Sequence, residues 1–211
     1  DPPFFKLWAG LFAGAGALLF GTGDLGLLCD AYRLGSYALF LPAVWAAFRF
    51  MRREFGRAAA WGAALSLPLM PPLFGFTRLG QLDGAAAAMY LLAALALYRA
   101  LVSGGRGRTI LAGGLLGLAF ATKLTVFPLV PAALLWALVY RRGWGMFGRL
   151  AASFGVGAGV FFAIWPWLWR DPVGRTLEFL TWAGGLQGER LTYYLGQWWA
   201  GAPWHYPLVS L

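Results

Sequence analysis

The stretch TRLGQLDG, Thr77 to Gly84, places a cation, Arg78, and a carboxylate, Asp83, between two long apolar runs. The run before it is Ala58 to Phe76, and the run after it is Ala85 to Leu101. At about 1.5 Å per residue, each is long enough to cross a hydrocarbon core of about 30 Å. A charge held in hydrocarbon costs at least about 2.5 kcal/mol, so an ionisable pair at the junction of two spans is either an interfacial anchor or part of a site.

Composition extends the membrane reading to the whole chain. Of the 211 residues, 60% are hydrophobic and 12% charged, and the mean hydropathy is +0.65. A soluble domain carries about twice that charged fraction. Twelve Trp residues fit the aromatic belts of membrane interfaces. The net charge of +9 does not indicate nucleic acid, because the excess lies in three clusters between apolar runs. These are Arg49, Arg52, Arg53 and Arg57; Arg99, Arg106 and Arg108; and Arg141, Arg142 and Arg149. That is the signature of cytoplasmic loops, and the charge reports orientation. The single cysteine, Cys29, excludes an internal disulfide.

Taken in order, the chain predicts an all-α polytopic bundle with about six spans. Leu7 to Phe20 is short and Gly-rich, which favours a helix lying along the outer interface within an outer segment, 1–33. Leu34 to Phe50 is the first clear span, and Ala58 to Phe76 and Ala85 to Leu101 follow. Thr109 to Leu138 is interrupted by Lys123, Pro128 and Pro131. A helix rising to about Ala121, a turn at Thr122 to Thr125 and a helix descending to Tyr140 keep Lys123 out of mid-membrane. Leu150 to Trp165 rises again, with GVGAG as a small-residue packing face. An outer loop, 166–203, contains a helix start at Asp171-Pro172. A further span begins at 204–211. With no initiator Met before DPPFFK and an apolar run cut off at WHYPLVSL, the chain reads as part of a longer protein.

This alternation collects the polar residues that topology leaves unexplained on the outer side: Asp1, Lys6, Asp30, Arg33, Arg78, Asp83, Lys123, Glu189, Arg190 and His205. Arg and Lys beside an interface suit a lipid-linked phosphate, since guanidinium binds phosphate bidentately and Lys acts as a point charge. Carboxylates at the same depth can take a proton from an acceptor hydroxyl or orient a sugar. Together they would serve glycosyl transfer from a polyprenyl phosphate.

Five segments in order carry a family resemblance: DPPFFKLWAG, YRLGSYALFLPAVWAAFRFMRREFGR, TRLGQLDG, GLAFATKLTVFPLVPA and YYLGQWWAGAPWHYPLV. They resemble the membrane core of the protein mannosyltransferases, C-type glycosyltransferases that use polyprenyl-phosphate sugars and are related to bacterial aminoarabinose transferases. The resemblance implies that Lys123 faces the donor phosphate, with Arg78 and Arg33 assisting, and that Asp83 is a catalytic-site carboxylate with an orienting or supporting role. Asp1, where the family often has His, and Lys6 would contact substrate, as would Glu189, Arg190 and His205. The acidic motif that supplies the family's base would precede Asp1, and inversion at the anomeric carbon is expected.

The expectation is an inner-membrane, prokaryotic enzyme, with the outer face for its site set by the alternation of the arginine clusters. Its partners would be a polyprenyl-phosphate-linked hexose, the lipid bilayer, and an acceptor that is protein, lipid or glycan; no nucleic acid is expected. Relatives differ in their use of a divalent metal, and no ligand set with recognisable spacing is visible here. Two other readings stay open: a transporter, which would also gather ionisable residues near broken helices, and a non-catalytic membrane subunit. Each candidate also has a plain alternative, with Arg78 and Asp83 as loop anchors, Lys123 snorkelling and His205 interfacial.

Overall fold

The computed structural model describes residues 2–21, 24–140, 143–185 and 191–200, and it divides into two compact units, residues 1–165 and 166–211. In the first unit, α1 (Phe4–Phe20) has 17 residues, about 25 Å at the helical rise, which is less than a hydrocarbon core. Helix α2 (Leu25–Glu54) starts where Asp24 Oδ1 accepts from the N–H groups of Gly26 and Leu27, at 2.8 and 3.2 Å, a side-chain N-cap. Its last turn holds Arg52 and Arg53, where cations favour the helix dipole. The helix thus begins nine residues before the expected start at Leu34. Asp30 and Arg33 therefore sit on its first turns instead of preceding it.

The expected single span at Ala58 to Phe76 is two helices, α3 (Arg57–Leu69) and α4 (Pro71–Arg78), bent by 58°. Pro71 and Pro72 force the break, because proline disfavours helical backbone in the residue before it, and Met70 is extended. Helix α5 (Leu82–Ser103) and α6 (Arg106–Thr122) follow. Lys123 leaves the helix with φ −157° and ψ 134°, a 3-10 turn spans Leu124–Val126, and α7 (Leu129–Tyr140) returns. Leu129 packs in the cluster around Phe5, Ala88 and Met89, whereas Ala133 and Ala137 join Leu97, Leu101 and Met146. The turn at Lys123 and the reversal of chain direction agree with expectation. Helix α8 (Trp144–Ile164) completes the unit.

Among the described residues three helices, α2, α5 and α8, are long and apolar enough to cross a membrane, and the bent α3–α4 pair makes up to four. Helices α6 and α7, at 17 and 12 residues, are shorter. Close packing rests on small residues. A Cβ on Gly117 would lie 2.5 Å from Gly157 O, and one on Gly113 would lie 2.6 Å from Ser153 O. Within GVGAG the α6–α8 contact therefore falls on Val156 and Gly157. Helix α1 lies as closely on α2, where Trp8 Nε1 donates to Gly35 O at 2.9 Å.

In the second unit, α9 (Pro172–Gly185) starts at the expected place, with Asp171 Oδ1 accepting from the Gly174 N–H at 2.9 Å. An antiparallel hairpin, β1 (Leu191–Tyr194) and β2 (Gln197–Ala200), was not expected. Leu195 and Gly196 close it with φ of 52° and 80°, the two positive values that a two-residue type I′ turn requires.

Candidate functional site

Asp83 lies in the first turn of α5, where the helix dipole favours a carboxylate. Lys123 is the C-cap of α6, and its extended backbone carries the side chain out of the helix. The two meet: Lys123 Nζ donates to Asp83 Oδ1 in an ion pair across 40 residues of sequence. Their side chains are 31% and 47% exposed. An ion pair so open to solvent stabilises a fold by about 0.2–1 kcal/mol, too little to account for it as a folding device.

Gly84 brings Arg78 to the same end. A Cβ there would sit 2.9 Å from Thr77 N and 3.0 Å from Thr77 Oγ1, so only glycine lets the last turn of α4 rest on the first turn of α5. Thr77 is buried in this contact, and its hydroxyl has no partner among the described residues. Gly80, with φ +68°, turns the intervening loop onto α2, where its Cβ position is 3.2 Å from Tyr32 Cδ1 and 3.5 Å from Arg33 Cγ. Arg78, Arg33 and Asp30 then line one cavity of about 500 Å³, with Tyr37 beside them and Phe20, Leu27 and Leu34 as apolar walls.

Charge at this end is arranged in steps. Arg33 Nη1 donates to Asp30 Oδ1 at 2.7 Å, and Lys123 is engaged with Asp83. Arg78 has no hydrogen bond or ion pair among the described residues. Three cations (Arg33, Arg78, Lys123) against two carboxylates (Asp30, Asp83) leave one positive charge, and the pairing leaves it on Arg78. A cavity with apolar walls and an unmatched guanidinium suits an amphiphilic anion.

The expected set is therefore brought together in part. Arg33, Arg78, Asp83 and Lys123 share one end of the first unit, where Arg33 and Arg78 line the cavity and Asp83 and Lys123 form the ion pair. Lys6 is exposed near the start of α1 with no hydrogen bond or ion pair among the described residues, while its neighbour Phe5 is buried with its ring 5.8 Å from that of Tyr32. Asp1, Glu189, Arg190 and His205 lie outside the residues whose side chains are described. Sequence reasoning missed Tyr37 and Thr77. Tyr37 follows Arg33 by four residues, the spacing that puts two side chains on one helix face, but this helps only if the helix is known to extend back past Arg33. Among the described residues no group of three or more His, Cys, Asp or Glu could hold a metal ion.

No curated protein and no solved structure matches the chain. The sequence pattern that defines the family described as dolichyl-phosphate-mannose-protein mannosyltransferase matches residues 3–169 of the 211. That match takes in α1 to α8 and every member of the cation and carboxylate cluster just described. With a helical membrane bundle, a charged cavity at one end and this match over most of its length, the chain belongs to the dolichyl-phosphate-mannose-protein mannosyltransferase family.

Proposed function

We propose that this glycosyltransferase moves a mannose-like or other hexose from a polyprenyl-phosphate carrier to a protein, lipid or glycan acceptor at the outer face of a prokaryotic plasma membrane. The observation that carries the reading is the convergence of the Asp83–Lys123 pair with the Arg33 and Arg78 cavity at the end opposite the arginine clusters. Those clusters mark the cytoplasmic side under the positive-inside rule, which sets the charged cavity outside.

The chemistry follows from these side chains. The donor's phosphate is recognised by Arg78, whose guanidinium is unmatched, and by Lys123, which has three N–H donors and uses one on Asp83. Phe20, Leu27 and Leu34 supply apolar surface for the first part of the lipid. The acceptor hydroxyl attacks the anomeric carbon as the bond to the phosphate oxygen breaks. The polyprenyl phosphate leaves with that electron pair, so cations at its oxygens stabilise charge where it develops. A carboxylate takes the hydroxyl proton. Asp83, held in place by Lys123, orients the acceptor or the sugar for that attack.

The test is transfer of radiolabelled sugar from a panel of polyprenyl-phosphate donors, using membranes that contain the full-length protein. Donor-dependent transfer that collapses in Asp83→Asn and Lys123→Ala, at unchanged protein level, supports the reading. Solute flux in proteoliposomes with no transfer from any donor overturns it.

A further inference from the structure

At the arginine-rich end of the first unit lies a second cavity, of about 520 Å³, between the N-terminal portions of α6 and α8. Arg106 and Arg149 line it, with Gly145 and Gly148 leaving the space open. Arg149 is held by Nη2 donating to Leu101 O at 2.8 Å, a carbonyl in the last turn of α5. Its Nε is buried with no hydrogen-bond partner among the described residues. Arg106 is exposed and has neither a hydrogen bond nor an ion pair with any described residue. Both helices start at glycines, Gly105 and Gly143, so among the described residues no side chain caps their first N–H groups, which point toward this end. The two ion pairs among the described residues involve neither arginine.

Positive-inside topology explains why arginines are here, but not why two of them border an open groove. The groove also has an apolar floor, Ile110 and Val156, and Ile110 is 59% exposed. A cationic mouth with orphaned N–H donors above an apolar floor matches a phosphate attached to a hydrocarbon tail. A free phosphate would use only the mouth.

We propose that this groove between α6 and α8 binds an anionic phospholipid of the surrounding leaflet. Arg106 and Arg149 take the phosphate, and an acyl chain runs over Ile110 and Val156. The site is separate from the Asp83–Lys123 end and does not depend on how that end works.

The experiment follows thermal unfolding of the purified full-length protein in uncharged detergent, titrated with phosphatidylglycerol, phosphatidylcholine or inorganic phosphate. Phosphatidylglycerol should raise Tm, and the other two should not. Arg106→Gln should weaken the apparent affinity for phosphatidylglycerol about fivefold, as expected for one cation at a lipid surface. Gly148→Leu should abolish the shift by filling the groove, and the lipid-free Tm should not fall, because a Cβ there meets nothing within 4 Å and leucine favours the helix more than glycine. Arg52→Gln, a loss of charge on α2 outside the groove, should leave the shift in place. An equal shift with phosphatidylcholine or with inorganic phosphate would overturn the proposal. So would an undiminished shift in Gly148→Leu, or a loss in Arg52→Gln as large as in Arg106→Gln.

Discussion

Lys123, at the end of α6, donates to Asp83, in the first turn of α5, so two helix termini of opposite dipole are tied by a cation and an anion in the positions each dipole favours. The pair is open enough to solvent to contribute little to folding and is placed where two helices present polar groups to one space.

Asp83→Asn and Lys123→Ala should therefore separate activity from stability. Each should lower sugar transfer about a hundredfold, the usual scale for a group that aligns or stabilises a transition state. Unfolding free energy should change by about 1 kcal/mol or less. Because the two act as a unit, the double variant should be scarcely worse than either single one, and initial rates on all three would show it.

The cavity residue Arg78 should govern donor affinity. Arg78→Ala should raise the KM for the lipid-linked donor about tenfold with a smaller change in kcat, since the unmatched guanidinium acts on bound phosphate. Arg78→Lys should recover only part of that loss, because a point charge does not replace a planar fork. Donor titration at saturating acceptor measures both.

Gly84 should be intolerant of any side chain. Its Cβ would press on backbone atoms, Thr77 N at 2.9 Å and the carbonyl carbon of Phe76 at 3.0 Å, so α4 must shift. Gly84→Ala should cost about 1–3 kcal/mol and displace Arg78 from the cavity. Gly75→Ala, with nothing within 4 Å, should not destabilise and should leave transfer unchanged in the same assays.

The same contrast applies between α6 and α8. Gly117→Ala forces a methyl to 2.5 Å from Gly157 O and should destabilise by about 1–3 kcal/mol, seen as a lowered Tm in detergent. Gly155→Ala and Gly159→Ala, within the same GVGAG segment but facing open space, should not lower Tm.

Sequence alone located the turn at Lys123, because a lysine followed by Pro128 and Pro131 cannot continue an apolar span. It also located the start of α9, where Asp171 and Pro172 satisfy opposite needs of a helix N-terminus. The bend at Met70 is legible in Pro71-Pro72, but the length of the apolar run around it masks the break. The start of α2 was hidden because Leu25 to Arg33 mixes charged and apolar residues, and hydropathy does not register a helix that leaves the bilayer. Aromatic strands flanking Leu195-Gly196 signalled the hairpin, but a tyrosine and tryptophan cluster beside a membrane also reads as an interfacial belt. That Arg33 and Arg78 share a cavity was out of reach, because it depends on Gly80 laying its loop against α2, a contact with no periodic signature.

Sidedness provides the most direct test of the site's placement. Cys29 is exposed near the start of α2, next to the cavity residue Asp30, so the native protein already carries a reporter at the Asp83 end. A membrane-impermeant maleimide added to intact cells should label the wild type. In a Cys29→Ser background it should label Leu79→Cys, which lies beside Gly80 and is 59% exposed, but not Gly107→Cys in the first turn of α6. Gly107 suits the second reporter because a Cβ there meets nothing within 4 Å. After permeabilisation, Gly107→Cys should react as well. The reverse pattern would put Arg78, Asp83 and Lys123 on the cytoplasmic side, where the arginine clusters would face outward against the positive-inside rule, and would end the case for transfer at the outer face.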